Sequence, residues 1–272
     1  MNTKHCVTAG LLSLLISHAA SAALLTFSTD ADYDSNFREY GTAVFRDSAT
    51  NALAKSGSTM AAVVVMYNTT ATGGSGGSGG TGVATPNNNT FSNFRMQMDF
   101  SPETLAVGGD SLGFFTKVNS AENSGYAGIF RLTGTGSADF RLFDSNSNPA
   151  TGALSGTVVN STTAFAGVPA GSFAAGTFYT LRLDVVDIAG AVQFTASIFT
   201  QGGTQIGSSM VVTDTTSPVL GAGQVGLRMG TQGGTAGANY FDNFSVEAIP
   251  EPGVAALSLL GLSAFAGLRR RK

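Results

Sequence analysis

Few residues in this chain can do chemistry, and their spacing limits what that chemistry is. Asp30, Asp32, Asp34 and Asn36 occupy alternate positions. In an extended chain alternate side chains share a face, so this run offers oxygen ligands suited to calcium. It does not match the helix-loop-helix calcium loop, because Ser35 stands where that loop needs glycine and Gly41 where it needs a bidentate glutamate. Asp30 and Asp32 are the leading metal candidates. Asp242, far along the chain, is the third, and its alternative is a local bond to a backbone amide or to Arg228. Glycoside hydrolysis needs two carboxyl groups about 5–5.5 Å apart for retention or about 6.5–9.5 Å apart for inversion. Glu39, Glu103, Glu122 and Glu247 are scattered, and Asp184 and Asp187 read as surface charges at a strand end. Sugar binding favours flat aromatic faces. With no Trp in the chain, the candidates are tyrosines, and Tyr126, in the stretch Asn123-Ser-Gly-Tyr126, is the leading glycan-binding residue. The 19 phenylalanines read as core.

What is missing is as informative. Both histidines, His5 and His18, and the single Cys6 lie within the first 22 residues. A body without them holds no Ser-His-Asp triad, no cysteine nucleophile, no His/Cys zinc site and no disulfide. Carboxylate, Lys, Tyr, Ser and Thr remain. From Ala23 to Pro250 there are 9 Lys and Arg against 16 Asp and Glu, a net charge of −7. Such an acidic body argues against nucleic acid as a partner. No catalytic residue is assigned.

The elements that would position these residues read as strands. Residues 91–100 alternate, with Phe94, Met96, Met98 and Phe100 on one face and Arg95, Gln97 and Asp99 on the other. Residues 60–67 are a continuous apolar run, suited to a strand buried on both faces. Further strands are predicted at 24–28, 112–118, 126–132, 138–143, 179–185, 192–198, 224–229 and 240–246, with a weak one near Val158. A hairpin turns at Gly190. No stretch of the body carries a sustained apolar stripe of helical period. The pattern predicts an all-β, antiparallel β-sandwich over residues 23–248. The Gly/Ser-rich tract 72–83 reads as a long loop within that domain, since the residues before it form too few strands to close a sandwich.

The two ends read as addresses. Residues 1–22 carry Lys4, an apolar stretch around 7–16 and Ala20-Ser21-Ala22, the pattern of a secretory signal peptide cut after Ala22. At the other end, residues 249–272 hold Pro250-Glu251-Pro252, an apolar run at 253–268, and Arg269, Arg270, Arg271 and Lys272. As a helix the run reaches about 24 Å, a little short of a hydrocarbon core of about 30 Å, with the basic residues held on the cytoplasmic side. The two prolines keep the preceding segment extended, a good protease site.

This three-part end resembles the PEP-CTERM sorting signal. The resemblance implies a Gram-negative bacterial protein passed through the secretion machinery and held transiently in the inner membrane. An exosortase-like membrane protease then cuts it near Pro250-Glu251-Pro252, and such proteins are typically associated with exopolysaccharide and the cell surface. The body resembles concanavalin A-like sandwiches of the laminin-G or pentraxin kind. The residues that carry this are Tyr179-Thr-Leu-Arg-Leu-Asp-Val185, Gly223-Gln-Val-Gly-Leu-Arg228 and Phe241-Asp-Asn-Phe244. That resemblance implies a jelly roll of two large sheets with glycan binding on one, and a structural calcium joining Asp30 to Asp242. The expected function is that of an exported, non-enzymatic surface or matrix protein. A calcium-dependent glycan-binding module is the alternative, and a polysaccharide-cleaving enzyme a third reading.

Overall fold

Alternating burial sets the strands. The computed structural model describes residues 24–29, 37–40, 44–47, 52–55, 63–67, 90–102, 111–119, 124–132, 137–144, 157–230 and 239–249. Among the described residues fourteen strands run in chain order: β1 Phe37–Tyr40, β2 Val44–Asp47, β3 Ala52–Lys55, β4 Val63–Tyr67, β5 Phe94–Pro102, β6 Ser111–Val118, β7 Tyr126–Leu132, β8 Ala138–Phe143, β9 Val158–Ala164, β10 Tyr179–Ile188, β11 Ala191–Thr200, β12 Met210–Asp214, β13 Gln224–Gly230 and β14 Asn239–Ala248. They form two seven-stranded sheets, the first in the order β1-β4-β13-β6-β7-β8-β9 and the second β12-β11-β10-β5-β14-β3-β2. Every pairing is antiparallel. The chain is thus an all-β antiparallel sandwich, as the alternation predicts.

The core fills the space between the sheets. Phe94, Met96, Met98 and Phe100 of β5 and Leu181, Leu183 and Val185 of β10 face Phe114, Phe130, Phe140 and Leu227 of the first sheet. The aromatic rings meet at tilted and edge-on angles: Phe130 and Phe140 lie 4.9 Å apart, and Phe114 and Phe130 are perpendicular at 5.9 Å. Such pairs add to the burial of their area. A second, smaller apolar cluster of Met66, Phe115, Val118 and Ala127 is also fully buried. Alternation places it on the outward side of the first sheet, behind inward-facing Phe114 and Tyr126.

Several details depart from the pattern reading. The segment at 24–28 is not a strand: only Leu25 pairs, through two backbone hydrogen bonds to Phe244. β1, β2, β3 and β12, of 4, 4, 4 and 5 residues, were not anticipated, because so few residues show too little alternation to read. β9 is the weak strand expected near Val158. β10 and β11 close through Ala189 and Gly190, both at positive φ, a two-residue turn whose twist matches the strands it joins. On either side of the 72–83 tract the chain meets the same strand: Met66 pairs with Gly226 of β13, and Phe91 with Gly223 just before it. The tract itself lies outside the described residues.

Candidate functional site

Register across the second sheet builds a polar surface from residues distant in sequence. On its outward side, Phe199, Thr180, Asp99 and Asp242 share one row across β11, β10, β5 and β14. Ser197, Arg182, Gln97 and Ser245 form the next, and Thr195, Asp184, Arg95 and Glu247 the third. At ordinary strand and residue spacings the grid measures about 14 Å by about 13 Å. Its charges are mostly paired along the rows. Arg95 donates from Nε and Nη2 to the two oxygens of Asp184 at 2.8 Å each, and from Nη1 to Glu247 at 3.3 Å. The guanidinium of Arg182 lies 4.5 Å from the centre of the Phe199 ring. The side chains of Arg95, Arg182 and Glu247 are 37%, 31% and 47% exposed, so that part of the surface is open to solvent, while Ser197 and Asp99 are buried.

One corner of the grid is irregular. Between Asp242 and Ser245 the register with β5 shifts, so β14 carries one residue more than its partner. Asn243 takes a φ of 51° there, a left-handed conformation that Asn tolerates better than most residues. The bulge turns Asn243 so that its Nδ2 donates to Asp99 at 2.7 Å, while Thr180 donates to the other Asp99 oxygen. Among the described residues, Asp242 accepts only from the backbone amide of Asn243, at 2.7 Å. Its carboxyl is pushed up to about 6, mainly by burial, with the charge of Asp99 adding and that amide opposing.

This corner is where the calcium expectation meets the structure. Of the three named ligands only Asp242 is described; Asp30 and Asp32 lie outside the described residues. An antiparallel bridge joins Leu25 to Phe244, two residues after Asp242 in β14. Among the described residues, however, no group of three or more His, Cys, Asp or Glu could hold a metal. Asp99 and Asp242 supply two carboxylates, with both Asp99 oxygens already accepting hydrogen bonds, against the six to eight oxygens that calcium takes. The described residues do not make a calcium site by themselves.

Tyr126 is not a glycan platform. Its side chain is fully buried, its ring packs edge-on against Phe194 at 4.8 Å, and its hydroxyl donates to Asp214 at 2.7 Å. The same hydroxyl accepts from the amide of Val219. Burial, then the bond to Asp214, raises its pKa. Tyr126 therefore ties the chain after β12 to the core, because the first position of β7 points inward. Asp214 also accepts from the amides of Thr216 and Ser217.

A second polar structure was not legible in the sequence. Lys117 sits at a bulge between β6 and β13 with a φ of 51°, and its side chain is fully buried. Its ammonium donates to the carbonyls of Ser92 and Gly221 and pairs with Asp187 at 2.7 Å. Burial lowers its pKa, and the contact with Asp187 opposes that. Asp187 in turn accepts from the Gly221 amide. Asp187 is thus a member of a buried cluster, and Asp184 a partner of Arg95, rather than free charges at a strand end. Pro250, Glu251, Pro252, Arg269, Arg270, Arg271 and Lys272 lie outside the described residues. Among the described residues no helix is long and apolar enough to cross a membrane.

Neither the known protein-family profiles nor the curated proteins give a match to this chain. Solved structures do. A legume lectin-like domain from Entamoeba histolytica is 8% identical, with a TM-score of 0.51 over 84% of this chain and 97% of that one. A lectin from Bauhinia forficata in complex with GalNAc is 12% identical, with a TM-score of 0.49 over 83% and 96%. The carbohydrate-binding module CBM66 from Bacillus subtilis is 10% identical, with a TM-score of 0.47 over 79% and 96%. Similarity at the level of the first identifies the fold, a legume-lectin-like sandwich, and function belongs to the site built on it.

Proposed function

We propose that the protein is an exported, non-enzymatic surface or matrix protein that holds polysaccharide on the outward face of its second sheet. The observation that carries this is the grid itself: three rows of mostly polar side chains across four strands, with Arg95, Arg182 and Glu247 open to solvent and Phe199 at one edge. A broad polar face offers hydroxyl-bearing polymers many weak contacts and encloses no small molecule. Its carboxylates are engaged by Arg95, Thr180 and Asn243, an arrangement that suits holding a sugar chain more than cutting one. The terminal segments support delivery through the secretion machinery and an exosortase-like protease to the cell surface, in association with exopolysaccharide.

The test is binding of the full-length protein to a glycan array and to the cell's own exopolysaccharide. Arg182→Ala with Phe199→Ala is expected to weaken binding at least about tenfold while leaving the unfolding midpoint within a few degrees. Undiminished binding by that double variant removes the face from the reading. Loss of binding in EDTA transfers the reading to calcium-dependent recognition, with Asp30 and Asp32 as the remaining ligands. Release of reducing sugar by the purified protein overturns the non-enzymatic part.

A further inference from the structure

We infer that the end of the sandwich from which the chain leaves at Ile249 is a lipid-contacting tip, with Ile188 and Leu220 set into a membrane interface. Ile188 closes β10, and Leu220 lies in the crossing from β12 to β13. The two flank one hydrogen bond, from the Gly221 amide to Asp187 at 2.9 Å. Ile188 is 37% exposed and Leu220 52%. Ala189, Gly190, Gly221 and Ala222 around them are exposed as well. Apolar side chains exposed singly need no partner, but apolar surface gathered at one tip marks a contact.

The course of the chain says what that contact is. Asn93 joins the tip to the exit: its side-chain oxygen accepts from the Asp187 amide at 2.7 Å, and its carbonyl from the Ile249 amide at 2.9 Å. The apolar run 253–268 begins four residue steps beyond Ile249. Four steps reach at most about 14 Å, whatever their conformation. The lipid contact thus rests on the reading of that run as membrane-spanning, which sets the tip at the bilayer surface.

Charge at the tip agrees with lipid. Across the described residues 90–93, 186–193, 215–223 and 248–249 the one charged side chain is Asp187, and Lys117 pairs with it at 2.7 Å. Glu247, two residues before Ile249, pairs instead with Arg95 at 3.3 Å on the outward side of the second sheet. On a body of net charge −7, a tip of this composition approaches an anionic bilayer with little repulsion. The tip and the run together hold the body at two points, so that it stands on end. Both sheet faces then stay clear of lipid.

The test uses the full-length protein in phosphatidylcholine–phosphatidylglycerol vesicles whose acyl chains carry a nitroxide quencher. Cys6 is the only cysteine, so in a Cys6→Ser background Ala222→Cys gives a single fluorescent label at the tip. Thr204→Cys gives one beyond the other end of β11, a ten-residue strand, about 30 Å away. Quenching at 222 is expected to exceed that at 204 at least about threefold, since interfacial groups lie about 5–10 Å into the headgroup and acyl boundary. Ile188→Asp with Leu220→Asp should lower it to the level at 204. Unfolding midpoints verify that the variants are folded, and flotation with the vesicles reads the membrane run separately. Flotation with equal quenching at both positions overturns the tip contact and leaves the run in the membrane. Quenching that survives the double aspartate variant also overturns it, because the tether alone then explains the proximity. A label at 222 shielded from water yet unquenched assigns the tip to protein, the run itself or a second copy, and overturns it too. Failure to float removes the membrane-spanning reading and the tip contact together.

Discussion

Asp242 shows how one residue discriminates between readings. Its folded value of about 6 lies above the ordinary 3.8, with burial as the main cause. Between those values the folded protein holds a proton that the unfolded chain has released. Stability therefore falls as pH rises from about 4 to about 6 and stays lower above that. The carboxyl is only about half buried, so solvent screening reduces the effect to about 1 kcal/mol. Asp242→Asn is expected to raise the unfolding midpoint at pH 7.5 and to leave it unchanged at about pH 2.5, where aspartate is neutral in both states. If calcium occupies this corner the sign reverses: the substitution destabilises at pH 7.5, and EDTA removes the difference. An equal gain at both pH values removes the burial argument.

At the scale of elements, two bulges do most of the positioning. Phe241 and Phe244 are three residues apart and both lie in the core, which a regular strand cannot arrange; the extra residue at Asn243 restores the parity. The bulge of β6 turns Lys117 into its buried cluster, and Gly223 allows it, since a Cβ there would stand 2.4 Å from the Lys117 Cα. Gly223→Ala is expected to cost about 2–3 kcal/mol in urea unfolding, because the obstacle is backbone and cannot swing aside. It should also loosen the Gly221 and Ser92 contacts of Lys117, read as faster amide exchange around residues 91–93 and 219–223. A neutral substitution would show that the two chains separate at no cost.

For the whole molecule, the proposal divides delivery from structure. A sandwich with a continuous aromatic core between its sheets and no cysteine in the body needs no disulfide in an oxidising compartment. Intact mass of the protein from cells with and without the exosortase-like enzyme tests the delivery half. Loss of residues 1–22 in both strains is expected, with loss of the segment after Pro250-Glu251-Pro252 only where the enzyme is present. Retention of 253–272 in both strains leaves a plain membrane anchor instead.

The β-sandwich was legible because period-two alternation, as in Phe94–Phe100 and Tyr179–Val185, is a local property of the chain, and so is the hairpin turn at Gly190. The spacing of Phe241 and Phe244 announced a bulge to a reader who counted parity. The excluded chemistries were legible too, since a missing side chain stays missing in any fold. Sites were another matter. Tyr126 was chosen for its neighbours in sequence, but which side of a strand faces the core depends on the sheet packed against it, and here that places the ring inside. Arg95 and Lys117 look alike as letters. Only the tertiary structure, which joins residues up to 152 positions apart, gives one cation two carboxylates and the other a buried cluster.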